Sequence, residues 1–296
     1  MKENKFSFDY NEFDIERPFD FTLHSSIGCG GSAKLAFYPR SERELKALLT
    51  KLNEDKKEWI ALGNLTNVLP SDLGTEKIVV STKKLKGVEI SKENATVYAE
   101  AGVLSGVLLY ALRKAALSGA EFLIGIPCTL GGALYMNAGA GGKYISEIVE
   151  SVRVYREGEI VELPLEECEY SYKNSVFMQT RDMIVGGTLK LERSDEQTIV
   201  TREKEWKKRR AHLPKGKSMG CVFKNQQGCS AGELIEKTGL KGLRVGGAKV
   251  SERHANFIIN DGNATAREIR ALIKLIQNAV FAYCGVVLEE EIRYLS

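Results

Sequence analysis

Apolar residues in this chain recur at short range, and their period changes from segment to segment. Leu45, Leu48, Leu49 and Leu52 share one face at helical spacing behind Ser41-Glu-Arg-Glu44. A serine three residues ahead of a glutamate is a capping box, so a helix is predicted to start there. Residues 104–116 predict an apolar helix and 201–210 a charged one. Thr265-Ala-Arg-Glu268 is a second capping box, ahead of a long helix through Leu272, Ile273, Ile276 and Val280. Short apolar runs at 59–62, 78–80, 96–99, 183–185, 188–191 and 256–259 read as strands, and 221–223 as a short apolar segment. Residues 152–155 and 159–162 predict a hairpin through Glu157-Gly158. Residues 286–294 read as a last strand carrying Glu289, Glu290 and Glu291, and 1–23 as a loosely packed arm. Strands outnumber helices up to residue 191 without strict alternation, which argues for an α+β fold over a doubly wound parallel sheet. The polar join at 195–201 is a candidate domain boundary.

One segment departs from these periods. Gly125-Ile-Pro-Cys-Thr-Leu-Gly-Gly-Ala-Leu-Tyr-Met-Asn-Ala-Gly-Ala-Gly-Gly142 sets six glycines around short apolar runs. Glycine lets a backbone adopt positive φ and approach another molecule closely. A loop whose own N–H groups bind a phosphate or a flavin edge needs that freedom. Ile126, Leu130, Leu134 and Met136 read as buried, so the segment is taken as a cofactor-wrapping loop. Gly63-Asn-Leu-Thr-Asn67, directly after the strand at 59–62, is a second candidate cofactor position.

Composition narrows the function classes. The chain has 296 residues, 43% of them hydrophobic, enough for one large domain or two. With 42 basic and 39 acidic residues the net charge is +3, so neither nucleic acid nor a membrane surface is implied as a partner. The basic cluster at 204–210 reads as a solvated helix face or as an aid in attracting an anionic substrate. The six cysteines form no C-x-x-C pair and no zinc spacing, so no metal is expected. Reduced thiols and a polar N-terminus point to a cytoplasmic protein. No apolar run approaches the roughly 18 residues of a membrane span. The P-loop, Rossmann, nucleophile-elbow and H-E-x-x-H patterns are all missing.

The 125–140 loop resembles the G-I-P-G-T-V-G-G-A-x-x-M-N-A-G-A loop of the UDP-N-acetylenolpyruvoylglucosamine reductase family, flavoenzymes of peptidoglycan synthesis. Further matches follow in order: His24-Ser-Ser, Tyr170-Ser-Tyr-Lys-Asn-Ser175, Gly220-Cys-Val-Phe-Lys-Asn225, Lys241-Gly-Leu-Arg-Val-Gly-Gly-Ala-Lys-Val-Ser-Glu-Arg-His-Ala-Asn-Phe257 and Leu288-Glu-Glu-Glu-Ile-Arg293. The resemblance implies a two-part FAD-binding domain of the vanillyl-alcohol-oxidase type, at 1–80 and 81–195. It implies a C-terminal α+β substrate domain at 196–296, whose last strand could return to the FAD domain. It further implies NADPH as reductant, a UDP-sugar substrate and a monomer. Hydride would pass from flavin N5 to C3 of the enolpyruvyl group and a protein acid would protonate C2. The short stretch after Leu191 matches the class of the family without an inserted substrate-clamping loop.

Carried over residue by residue, the resemblance assigns catalysis to Cys221 (family serine, proton donor), Glu291 (support of the enol-like carboxylate) and Lys173 (family arginine). Cofactor binding falls to Gly63, Asn64, Leu65, Thr66, Asn67, Gly125, Ile126, Pro127, Thr129, Gly131, Gly132, Asn137, Ala138, Gly139 and Arg293. The substrate side falls to Tyr172, Lys224, Asn225, Arg244 and His254. Several positions depart from the pattern. The first flavin loop, G-G-G-S-N-L-L in the family, has Asn64 and Leu65 in place of glycines, and leucine tolerates positive φ poorly. Lys173 keeps the positive charge and loses the bidentate fork. Cys128 replaces a loop glycine, and Ile27-Gly-Cys-Gly-Gly-Ser-Ala33 lacks the family's basic residue. These changes keep two other readings open: a paralogue that binds a nucleotide sugar without turnover, and a flavin oxidase of the same fold.

Overall fold

Ser41 accepts a hydrogen bond from the Glu44 amide (3.2 Å) and opens the helix Glu42–Glu54, as the capping box predicts. In the structure, a computed structural model describing residues 10–226 and 228–296, Leu45, Leu48, Leu49 and Leu52 are fully buried. They pack with Phe37 and Val80 of a first sheet and with Tyr155, Met183 and Val185 of a second, so this helix bonds the two halves of the FAD region together.

The first sheet runs Ile15–Glu16, Ala36–Phe37, Ile78–Ser81, Trp59–Leu62; its last three strands are parallel. The second is an antiparallel five-stranded sheet, ordered Glu159–Pro164, Val149–Arg156, Met183–Lys190, Thr96–Glu100, Val88–Ser91. Leu108, Leu109 and Leu112 of the helix Ser105–Lys114 and Leu130, Ala133 and Leu134 of the helix Leu130–Met136 share one core with its strands. The third sheet, Ser218–Cys221, Phe257–Asn260, Ala248–Val250, Arg244–Val245, packs against the helix Ala266–Cys284, whose Thr265 capping box is formed. Arg293–Leu295 pairs in parallel with Val68–Pro70, which returns the chain end to the first half. The molecule is therefore α+β.

Four local expectations change. The stretch 10–23 is not loose: Phe19 and Phe21 are 1% and 0% exposed and share a core with Ala33, Leu62, Leu65 and Leu295; residues 1–9 of that expected arm lie outside the described residues. The polar join at 195–201 is the start of the helix Glu196–Arg210, with Asp195 as N-cap. Its Glu203 meets Arg113 (3.0 Å) and its Arg202 donates to Ser118 (2.6 Å), so it lies on the second half. The strands expected at 183–185 and 188–191 are one strand, because a Cβ at Gly186 would lie 2.7 Å from the Ala99 carbonyl and only glycine fits against the neighbouring strand. The strand expected at 286–294 is confined to Arg293–Leu295. Ahead of it, Glu290 pairs only in an isolated bridge with Phe223, and the side chains of Glu289, Glu290 and Glu291 bond Lys224, Tyr294 and Lys173.

Phe21→Ala tests the packed N-terminal segment. The expected loss is roughly 3–5 kcal/mol in a urea titration; a draped arm would lose less than about 0.5 kcal/mol.

Candidate active site

The strand Trp59–Leu62 runs directly into the first expected flavin loop, and the hydrogen-bonded end of that loop meets the second. Asn64 Nδ2 donates to the Pro127 carbonyl at 2.8 Å. A Cβ at Gly63 would stand 2.5 Å from Thr129 Oγ1, so the loops abut only because that residue is glycine. Thr129 caps the helix Leu130–Met136 through the Gly132 amide. Gly131 lies against Ala101, where a Cβ would come within 2.9 Å.

Leu65 takes the left-handed conformation, φ 48°, despite its side chain. It is 4% exposed, in the core with Phe21 and Leu62. Burying a leucine is worth about 1.5–3 kcal/mol, which offsets the roughly 1–2 kcal/mol of left-handed backbone. Among the described residues, the backbone N–H groups of Asn64, Leu65, Thr66 and Asn67 find no acceptor within the chain. Asn67 Nδ2 donates to the Glu291 carbonyl (3.1 Å), and Arg293 N–H to the Asn67 carbonyl (2.9 Å). Arg293 Nε is buried and finds no partner among the described residues. Free donors along one loop and an orphaned guanidinium nitrogen suit a bound diphosphate and an electron-rich ring, so the residues present fit FAD.

Asn137 ends the helix Leu130–Met136 in the left-handed conformation, φ 44°. Its side chain donates to the Ser171 carbonyl (2.9 Å) and accepts from the Ser146 amide (3.2 Å). That contact joins the second flavin loop, with Ala138 and Gly139, to the Tyr172-Lys173 turn. Both flavin loops and this turn line one open cleft of 2160 Å³, together with Gly125, Ile126, Cys221, Asn225, Glu291 and Arg293.

Backbone pairing brings the three catalytic candidates together. Cys221 pairs with Phe257 at the end of its strand, and the Glu291 amide donates to the Val222 carbonyl at 2.8 Å. Lys173 Nζ then meets Glu291 Oε1 at 2.8 Å, with the two side chains only 15% and 13% exposed. Burial alone would lower the Lys173 pKa; the Glu291 carboxylate outweighs it, and the net shift is upward. Burial first and Glu291 second push the Cys221 thiol up to about 12, against the weaker pull of Lys173 and Arg210. The thiol is a neutral, proton-bearing group across the physiological range.

At the mouth, Tyr172 OH accepts from the Asn225 amide (3.1 Å) and Tyr144 meets the Tyr172 ring edge-on at 6.1 Å. Lys224 pairs with Glu289 at 2.5 Å, Arg244 pairs with Asp261, and neither lines the cleft. His254 is also outside the lining; it stacks on His212, and burial and then His212 lower its pKa. Arg210 does line the cleft and was not singled out by motif: its Nη2 lies 3.3 Å from the Gly125 carbonyl. Its only signal in the sequence is its place at the end of the basic cluster.

Two family models match the chain. Residues 33–164 match the FAD binding domain, and 211–295 match the C-terminal domain of UDP-N-acetylenolpyruvoylglucosamine reductase. The reductase of Clostridioides difficile (strain 630) is 40% identical over 287 residues, covering 96% of this chain and 94% of that protein. The chain belongs to the UDP-N-acetylenolpyruvoylglucosamine reductase family. The family member from Trichlorobacter lovleyi is 38% identical over 278 residues, 92% of this chain and 90% of its own length. The crystal structure of the reductase from Thermus caldophilus superposes with a TM-score of 0.83 at 31% identity, over 96% of this chain and all of that one. As a family member the chain is an FAD-dependent oxidoreductase of peptidoglycan synthesis, with the two-part FAD domain and C-terminal α+β domain described above. Its substrate is the enolpyruvyl derivative of UDP-N-acetylglucosamine.

The raised Cys221 pKa predicts an order of thiol labelling. The folded state favours the neutral thiol, so alkylation of Cys221 stays slow at a pH of about 8.5, where an ordinary thiol is half ionised. It climbs only as pH approaches about 12. The exposed Cys229 and Cys284 label first. Timed iodoacetamide labelling with peptide mass spectrometry measures this; Cys221 labelling as fast as those two at pH ~8.5 would contradict it.

Proposed function

We propose that the chain reduces UDP-N-acetylglucosamine-enolpyruvate to UDP-N-acetylmuramate with NADPH as reductant and Cys221, Lys173 and Glu291 as its catalytic side chains. The observation that carries the site assignment is the near-buried Lys173–Glu291 pair beside a neutral Cys221 thiol in a cleft lined by both flavin loops. Bound FAD supplies the hydride carrier. Cys221 holds the proton for C2 at Sγ, and its raised pKa keeps that proton in place until a carbanion-like centre develops. The Lys173 ammonium, oriented by Glu291, meets the enol-like carboxylate, and Glu291, held at its backbone by Asn67, supports that carboxylate through the cation it positions. Lys173 supplies a point charge toward the substrate carboxylate.

In the same reading, Asn64 to Asn67 and the 125–139 loop hold the diphosphate and the ring of FAD, with Arg293 at the ring. Tyr172 and Asn225 form the substrate side within the cleft, and Lys224, held by Glu289 outside its lining, reaches the substrate only by leaving that pair. Arg244, half-exposed and paired with Asp261, and His254, stacked on His212, lie outside the cleft and take no direct part in this reading. The FAD domain includes the helix Glu196–Arg210, because that helix rests on the second sheet's core. A cytoplasmic monomer without a nucleic-acid or membrane partner completes the reading, supported by the near balance of charge and by six unpaired thiols.

The test is the visible spectrum of the purified protein: a flavin band that bleaches with NADPH and returns when the enolpyruvyl sugar is added. Protein that cannot be loaded with FAD, or reduced flavin that the sugar leaves unchanged, would overturn the proposal. Glu291→Gln is expected to retain FAD and to lose roughly 10²–10³ in kcat. Cys221→Ala should lose the flavin's reoxidation by the sugar while keeping its reduction; full activity in that variant would remove Cys221 from the mechanism.

A further inference from the structure

Residues 25–29 pass between two cores. Phe21, four residues earlier, is buried in the first core, whereas Ile27 and Cys29 are 0% and 3% exposed inside the C-terminal one. Asn260 Nδ2 grips this segment through the carbonyls of Ile27 (2.9 Å) and Gly28 (3.1 Å). At the crossing point stands Ser26. Its N–H donates to the Leu65 carbonyl at 3.3 Å, and its Oγ lies 3.3 Å from the same oxygen. The hydroxyl proton goes to the Ser218 carbonyl at 2.6 Å. Leu65 is the left-handed residue of the first flavin loop. Ser218 begins the strand that ends at Cys221, and the register of that strand against Phe257–Asn260 shifts between Ser218 and Cys221. The ladder holds Cys221 at Phe257 and breaks between there and Ser218, so the bond from Ser26 to Ser218 adds a hold at the other end of the strand.

We propose that Ser26 is a positioning residue, a strut that sets the Cys221 strand against the first flavin loop and so registers the proton donor to the flavin. This rests on the reductase reading above. The strut works through a single hydroxyl proton, and the amide bond to Leu65 survives its removal. Ser26→Ala therefore loosens the thiol side and spares the flavin side.

The full-length Ser26→Ala and Ser26→Thr proteins test it. In Ser26→Ala without FAD, Cys221 alkylation at a pH of about 9.5 should be several-fold faster than in the wild type. FAD affinity, read by flavin fluorescence, should stay within threefold. Flavin reduction by NADPH should stay within twofold, and reoxidation by the enolpyruvyl sugar should slow roughly tenfold, as small misplacements of a reacting group do. Ser26→Thr keeps the hydroxyl and should restore both rates. An unchanged Cys221 alkylation rate in Ser26→Ala overturns the proposal whatever the kinetics show, as does a parallel fall of both half-reactions with loss of FAD. Wild-type protein that fails to bind FAD would instead defeat the reductase reading, and the alkylation comparison would still decide whether Ser26 holds the thiol strand.

Discussion

The near-buried ion pair between Lys173 and Glu291 organises this molecule. Its two partners come from distant parts of the chain, a turn on the second half of the FAD region and the last segment before the C-terminus. Removing one partner of a desolvated pair leaves the other uncompensated, at a cost of about 3–5 kcal/mol. The terminal segment is therefore held to the FAD region at the point where we propose the chemistry. The parallel pairing of Arg293–Leu295 with Val68–Pro70 and the Asn67 contact to the Glu291 carbonyl reinforce the same attachment. The first flavin loop, the carboxylate and the thiol strand thereby form one mechanical unit.

Two departures from the family pattern become intelligible in that unit. Leu65 occupies a backbone conformation suited to glycine, and its side chain fills the core beneath the loop. The strain and the burial are of similar size, so the loop keeps its shape by a different balance. Lys173 also sits at positive φ, 55°, on a turn tied through Ser171 to Asn137. Lysine delivers its charge through one flexible point, whereas arginine would use a planar fork. Here the 2.8 Å contact to Glu291 fixes where that single charge sits.

Much of this was legible in the sequence because the signals were local. Both predicted N-caps formed, Thr265 with its full capping box and Ser41 with the cap bond alone, the leucine face of 42–54 is the buried one, and the hairpin at 152–162 turns at Glu157-Gly158. The ordered motifs pointed to the family and to FAD. What was not legible depended on contacts between distant segments. Polar residues 195–201 look like a linker until Asp195 is seen capping a helix that rests on another core. Three consecutive glutamates look like strand until each finds its own cation or hydroxyl. Phe19 and Phe21 look isolated in a polar stretch until Leu295 arrives from the far end of the chain to bury them. Arg210 carries no motif at all, and only the fold brings it over Gly125.

Arg210 also completes the electrostatics of the cleft. The Lys173 charge is offset by Glu291, and Cys221 is neutral in the physiological range. Arg210 has no carboxylate partner among the described residues, and burial lowers its pKa against the weaker pull of the neighbouring thiols. A guanidinium stays charged at any physiological pH, so the cleft carries a positive charge that its own side chains do not balance. Burying such a charge is unfavourable unless an anion meets it. Under the proposed reading the anion is the substrate, which carries a carboxylate and a diphosphate. Ligand binding then relieves a cost built into the free protein, and a ligand that displaces water from the cleft strengthens the electrostatic contacts around the thiol we propose as proton donor.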